Sequence, residues 1–366
     1  MPSYFWIPDQ PFNDLPSLPP SDFSENSISQ ENLKQTRVAL AKLEGKTEGA
    51  GKHTFHHLLN PLLLAEALSS SEIENIKTTL ESVLEYELED EEELSADQKV
   101  LNYRRALMWG WKFIEEENHP ITERLIKGLH ERLLPLDKHQ WRREQNRIVD
   151  HTTGNVRYTP PENAYIPQLL TQWENFVNTE DSLDPLIVAA LSHYQFEAIH
   201  PFQDGNGRTG RMLLVLQLIK YGLLPGPFVH VSSFINTYRS RYYQLLREVT
   251  EQENWKEFVE FTLDAYKEQA LQAHSTLSLL DEMQKDVTSS VREKASKIYS
   301  QDLIDKIFEF PVINPTRLGK ELTIHRETAS KYLKNLEQIG VLRSYKKGRQ
   351  RLFVNDGALK VITGEQ

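Results

Sequence analysis

Between two apolar stretches with helical spacing, Pro185–Ile199 and Met212–Leu223, the chain sets a block of twelve residues, HPFQDGNGRTGR (200–211). The block is dense in glycine and charge, interrupts the apolar period, and reads as a loop joining two helices. Ile121–Leu134 repeats the same i, i+3/i+4 pattern, and strand signals are sparse before residue 340. The expected fold class is therefore mainly α. One exception is Arg147–Tyr158 (RIVDHTTGNVRY), where Gly154-Asn155 lies between short β-prone runs and Pro160-Pro161 follows, the signature of a hairpin.

A chain of 366 residues can bury a sizeable core, and two or three units are expected. Cysteine is absent, which excludes disulfides, zinc-thiolate sites and thiol nucleophiles. Residues 1–30 are rich in proline and serine and read as an extended arm without the n- and h-regions of a signal peptide. No apolar run has the length of a membrane helix, so a cytoplasmic protein with no membrane partner is expected. The net charge of −11 is uneven. Val287–Gln366 holds 15 Lys and Arg against 9 Asp and Glu, a surplus of +6 that leaves −17 for residues 1–286. Only the tail is suited to nucleic acid. The acidic run Glu85–Glu93 reads as a solvated helix face or loop.

The twelve-residue block carries the chemistry. Gly205, Gly207 and Gly210 open backbone conformations closed to other residues, so several N–H groups can converge beside the next helix's N-terminus and bind phosphate. Arg208 and Arg211 add guanidinium forks for phosphate oxygens. Asp204 suits a magnesium ion shared with phosphates, because Mg²⁺ takes one or two carboxylates plus phosphate and water. His200 alone in the block has a side chain whose ordinary pKa suits proton transfer near neutrality.

The block matches every fixed position of HPFx(D/E)GNGRxxR, and in this it resembles the signature of the Fic (filamentation induced by cAMP) family. The resemblance covers about residues 30–285. It implies an all-helical core with a β-hairpin flap and transfer of AMP from ATP to Ser, Thr or Tyr of a target protein. It makes His200 the general base and Asp204 the Mg²⁺ ligand. It makes the Gly205–Gly207 amides, Asn206 among them, the anion hole, with Arg208 and Arg211 on the polyphosphate and Thr209 and Gly210 in the same ATP-binding loop. The hairpin at 147–158 falls where the family's flap presents the target segment by strand addition. Tyr242-Tyr243 stand where the family's adenine pocket draws tyrosines, with core packing as the alternative. Thr250 occupies a place where some relatives carry an asparagine.

A second segment, Ser70-Ser71-Glu72-Ile73-Glu74-Asn75, resembles the family's inhibitory motif, (S/T)xxxE(G/N), with Ser70, Glu74 and Asn75 at its fixed places. The resemblance implies that Glu74 pairs with Arg211 and denies it to the γ-phosphate, an inhibition in cis. Oligomer rearrangement and self-modification are both open as routes of relief. The competing reading of Ser71-x-x-Glu74 is a capping box at a helix start.

Beyond a linker expected at Asp281–Arg292, Leu303–Phe308, Thr316–Leu322 and Arg326–Ile339 read as three short helices. A hairpin with Lys-Lys-Gly at its turn follows, the order of a winged helix-turn-helix. The division expected along the chain is 1–110, an N-terminal helical region with the inhibitory motif; 111–285, the catalytic core; and 286–366, the winged helix. Arg343, Lys346, Lys347, Arg349 and Arg351 fall on or beside the wing. DNA binding, dimerisation and substrate docking all remain open for it, and a homodimer is among the arrangements allowed. The leading function is a protein adenylyltransferase with ATP, Mg²⁺ and a protein target that could be the chain itself. The alternatives are AMP removal, UMP or phosphocholine transfer, and a DNA-binding regulator that only senses nucleotide.

Overall fold

Apolar residues at helical spacing dominate the chain, and helices are what form. The computed structural model describes residues 6–48, 56–89, 95–117, 119–135, 140–149 and 153–364. In chain order its elements are α1 (Gln30–Glu48), α2 (His56–Ile73), α3 (Leu80–Tyr86), α4 (Ala96–Glu117), α5 (Glu123–Leu133), β1 (Ile148–Val149), β2 (Val156–Tyr158), α6 (Ile166–Thr179), α7 (Pro185–Ile199), α8 (Asn206–Lys220), α9 (Val231–Thr237), α10 (Arg239–Gln252), α11 (Trp255–Lys294), α12 (Gln301–Glu309), β3 (Val312–Ile313), α13 (Pro315–Glu321), α14 (Arg326–Gln338), β4 (Arg343–Lys347), β5 (Gln350–Val354) and α15 (Asp356–Thr363). None of the described helices is long and apolar enough to cross a membrane.

In space the residues group into two units, 1–41 with 102–270 and 42–101 with 271–366. The linker expected at 281–292 lies inside α11, which continues to Lys294. Thinning apolar periodicity there marks a more exposed length of one helix, not a break in it.

The first unit is organised by α7 and α8. Asp184 caps α7, its Oδ1 accepting from Leu186 N at 2.9 Å, and Pro185 supplies the preset φ of a first helical residue. Both helices are buried on nearly every side, as expected for segments without a polar face. Trp173 of α6 ties to α7 by donating from Nε1 to Ser192 O at 2.8 Å. The proline-rich arm lies along this unit. Phe12 N donates to Thr159 O at 3.0 Å, and Gln195 Nε2 to Pro16 O at 3.0 Å. The expected hairpin forms as β1 and β2, antiparallel with Ile148 opposite Tyr158, and Gly154 adopts φ 71° in the connection.

In the second unit a three-stranded antiparallel sheet runs in the order β3-β5-β4. The three expected helices are α12, α13 and α14. Ser300 caps α12 and Asn314 caps α13, and Gly348 at φ 57° turns β4 into β5. Helix α2, which carries Ser70, packs on α12 and α15 of this same unit. The acidic run is not simply solvated. Glu85 accepts from Tyr345 Oη and from Lys347 Nζ (2.8 Å), and Glu89 pairs with Lys347 at 3.1 Å. Residues 90–93 of that run fall outside the described residues.

Gly128 of α5 shows how tightly the first unit is packed. A Cβ there would stand 2.1 Å from Trp109 Cη2, and the indole is held by Arg132, whose guanidinium carbon lies 3.9 Å from the ring centroid. A rigid ring cannot yield as a flexible side chain can, so Gly128→Ala is expected to cost ~1–3 kcal/mol, the scale of core overpacking, read by chemical denaturation.

Candidate active site

The HPFQDGNGRTGR block is half loop and half helix. α8 begins at Asn206, so only His200–Gly205 form the turn out of α7. The apolar pattern that resumes at Met212 understates the helix because the first turn of α8 is polar. Of the three glycines, only Gly205 needs a left-handed conformation (φ 80°). Gly210 is helical and serves close packing: a Cβ there would meet Glu197 Oε1 at 2.2 Å and Phe196 Cδ1 at 3.2 Å.

The turn closes on Asn206. Its Oδ1 accepts from Phe202 N and its Nδ2 donates to Phe202 O, both at 2.8 Å. The amide side chain thereby holds the loop closed. Gly205 N donates to Asp204 Oδ1 at 2.6 Å, so the N–H groups available to an anion are those of the first turn of α8, which have no intrahelical acceptor. Thr209 is fully buried on the helix.

His200 ends α7 as a left-handed C-cap (φ 49°, ψ 59°), its N–H bonded to Phe196 O at 3.1 Å. A non-glycine residue in this region carries strain and persists only where its surroundings enforce it. Here they do. Arg142 donates from Nε to His200 O at 2.9 Å and from its main-chain N to Pro201 O at 2.8 Å, and its Nη2 bonds Pro161 O. Asn146 Nδ2 donates to Phe202 O at 2.9 Å. His130 stacks on Phe202 with ring centroids 3.7 Å apart and reaches Asp204 O at 3.0 Å. Tyr158 of the hairpin donates to Ala198 O at 2.9 Å. The His200 Nδ1 faces Glu197 O at 3.2 Å; donation there fixes the tautomer and leaves the basic lone pair on Nε2.

The two arginines differ. Arg208 is 3% exposed, with Nη2 3.2 Å from Asp204 Oδ1. Among the described residues its Nε and Nη1 are buried and meet no acceptor. Buried donors are normally satisfied, and the exceptions mark ligand sites or stored strain. Arg211 is 1% exposed. Burial first, and the Arg211 charge second, push His193 down to about 3, with the Gly210 backbone opposing. His193 is therefore neutral, and its Nε2 lies 2.8 Å from the Tyr242 hydroxyl. Tyr242 is thus held in the core (2% exposed), while Tyr243 is 46% exposed and offers its ring outward. Thr250 Oγ1 meets Tyr194 Oη at 3.0 Å and donates to Leu246 O, so its hydroxyl is already used within the core.

Sequence reading missed Arg142, Asn146, His130 and His193. His130, Arg142 and Asn146 lie up to 74 residues from the loop positions they hold, His193 lies 49 from Tyr242, and nothing in local spacing marks them.

In the second unit, Ser70 is fully buried near the end of α2, and Glu74 and Asn75 form the turn that closes it. Glu74 N donates to Ser71 O, Ile76 N donates to the same oxygen, and Asn75 adopts φ 60°. The segment is a helix C-terminus, which rules out the capping-box reading. It also explains why the motif takes glycine or asparagine after the glutamate: both tolerate the left-handed C-terminal position.

Buried neutral histidines give stability a pH dependence. His193 (to about 3) and His230 (to about 4) are both lowered by burial. In each case the unfolded state binds the proton first, so stability is complete above pH 6.5 and falls as pH drops toward the folded values. Each is expected to cost about 2 kcal/mol between pH 7 and pH 5, and His193→Gln should flatten that slope in urea denaturation.

The same residues are recognised by comparison. Residues 30–112 match the Fic/DOC family N-terminal model, 120–218 the Fic/DOC family model, and 283–357 the model of the protein adenylyltransferase SoFic-like C-terminal domain. A probable protein adenylyltransferase of Aquifex aeolicus is 28% identical over 50% of this chain and 55% of its own length. Protein adenylyltransferase Fic of Drosophila virilis is 34% identical over 39% of this chain and 28% of its own. The chain thus spans about half and about a quarter of these relatives. Among solved structures, a Fic family protein from Desulfovibrio desulfuricans G20 superposes with a TM-score of 0.58 at 20% identity, covering 89% of this chain and 96% of that one. A Fic domain containing signaling protein from Bacteroides thetaiotaomicron VPI-5482 gives 0.54 at 18% identity, covering 67% and 95%. These matches, one of which spans the residues that build the loop, show that the chain carries Fic/DOC family domains at 30–112 and 120–218.

Proposed function

We propose that the chain is a protein adenylyltransferase that moves AMP from ATP to a hydroxyl of a protein. The observation that carries this reading is Arg208: two buried guanidinium nitrogens, Nε and Nη1, without an acceptor among the described residues, on the first turn of a helix whose N-terminus follows the left-handed Gly205. A polyphosphate supplies the acceptors both features lack. In the reaction, His200 Nε2 takes the hydroxyl proton, the oxygen bonds to the α-phosphorus, and the bond to the bridging oxygen breaks as pyrophosphate leaves. Arg208 and Arg211 hold the phosphates, and two arginines fit a triphosphate in the orientation for AMP transfer. Tyr243 offers a flat face to the base and Tyr242 backs it.

Asp204 fits a magnesium ion. Its side chain is 72% exposed, and one carboxylate is within the number Mg²⁺ uses when phosphates and water complete its shell. Bound there, the ion neutralises charge on the phosphates. Glu74 is read as the inhibitory residue that competes with the γ-phosphate for Arg211, and the Asn75 turn supports that assignment. The α12-β3-α13-α14-β4-β5 arrangement is read as a winged helix. Carboxylates already answer Arg343, Lys347 and Arg351, which favours a holding or docking role over DNA binding.

Mass spectrometry of the intact chain after incubation with ATP and Mg²⁺ tests the chemistry. A gain of one AMP that His200→Ala abolishes is the expected result, and no adduct on the chain or on any lysate protein contradicts it. Glu74→Gly is expected to raise transfer from radiolabelled ATP roughly 5–150-fold, the range of ordinary allosteric couplings. No gain removes inhibition by Glu74.

A further inference from the structure

The basic hairpin β4–β5 and the acidic segment after the inhibitory motif meet rung by rung. Side chains alternate along a strand, so β4 turns Arg343, Tyr345 and Lys347 to one face. Four residues apart, Glu81 and Glu85 share a face of α3, and Glu89 continues the spacing just beyond it. Two strand residues advance ~6.6 Å and four helical residues ~6 Å, so the two ladders stay in register. Arg343 Nη2 lies 3.4 Å from Glu81 Oε1. Tyr345 Oη donates to Glu81 at 3.3 Å and also meets Glu85. Lys347 Nζ bonds Glu85 at 2.8 Å and Glu89 at 3.1 Å. Asp356 orients the first rung by taking both Nε and Nη2 of Arg343. Behind the ladder Leu80, Val83, Leu84 and Tyr86 are buried.

The other side of the motif is held as well. Asn60 Nδ2 of α2 donates to Glu309 O at 3.0 Å, and His57 Nε2 lies 3.2 Å from Gln284 Oε1, whose Nε2 donates to Asp305 at 2.6 Å. Ser70–Asn75 is therefore bracketed by contacts to residues beyond 271, with α11 and α12 before it and the β4 hairpin after it.

We propose that the C-terminal winged helix is the mount of the inhibitory motif. The β4 hairpin, through Glu81, Glu85 and Glu89, fixes the segment that begins six residues after Asn75, and inhibition weakens when that clasp is broken. The basic residues of the wing thus act within the chain, on its own acidic segment. Arg343, Tyr345 and Lys347 are positioning residues that act through Glu74, and the proposal rests on reading Glu74 as inhibitory.

The test uses the full-length chain and radiolabelled ATP. Arg343→Glu with Lys347→Glu is expected to raise AMP transfer roughly threefold or more, the scale that a few part-exposed ion pairs support. In a Glu74→Gly background the same pair is expected to change nothing, because no inhibition remains to weaken. Adding Glu81→Lys, Glu85→Lys, Glu89→Lys and Asp356→Lys gives each reversed charge its opposite partners and is expected to return the wild-type rate, a rescue that general damage to the fold would not show. Tyr345→Phe, which keeps the ring and removes only the hydroxyl, gives a smaller rise in the same direction. The mount is overturned if the charge-reversed pair leaves transfer unchanged while Glu74→Gly alone raises it. An equal rise in both backgrounds overturns it too, because the effect then bypasses Glu74. If Glu74→Gly gives no gain, the inhibitory reading itself fails and takes the mount with it.

Discussion

The amide of Asn206, bonded on both its atoms to the backbone of Phe202, decides where everything else in the site can stand. It closes the turn between α7 and α8. With the turn closed, His200 is held at its strained left-handed position and Gly205 at the other. The N–H groups of the first turn of α8 are then left facing outward beside Arg208. Strain at His200 is bearable because Arg142, Asn146 and His130 bind the carbonyls of the loop. The precision of this loop comes from backbone clamps more than from contacts among its own side chains.

The legible part of this protein was its local grammar. Helix periods located α5, α7 and the three helices α12 to α14, and a glycine-asparagine pair located the flap hairpin. The twelve-residue block announced its chemistry through composition alone. What stayed hidden was of two kinds. Polar helix starts do not show in apolar periodicity, so the first turn of α8 read as loop. Long-range partners leave no trace in spacing: His193 under Tyr242, Arg142 under His200, and the wing lysine that answers Glu85 each join residues tens to hundreds of positions apart. For the same reason the exposed length of α11 resembled a linker.

Charge in the second unit illustrates the point most clearly. Read singly, an acidic run suggests a solvated face and a basic hairpin suggests nucleic acid. Read together in space, each is the partner of the other, matched by the near-equal rise of two strand residues and four helical ones. Such half-exposed pairs are individually weak; their value lies in fixing the register of the segment that follows the Asn75 turn.

The phosphate-binding reading depends above all on Arg208, whose Nε and Nη1 are buried without an acceptor among the described residues. Calorimetric titration of ATP against the wild-type chain and Arg208→Gln measures that dependence directly. Loss of charge-assisted bonds worth about 1.5–3 kcal/mol is expected to weaken binding roughly 10–100-fold. Equal affinity in the two chains would contradict the account.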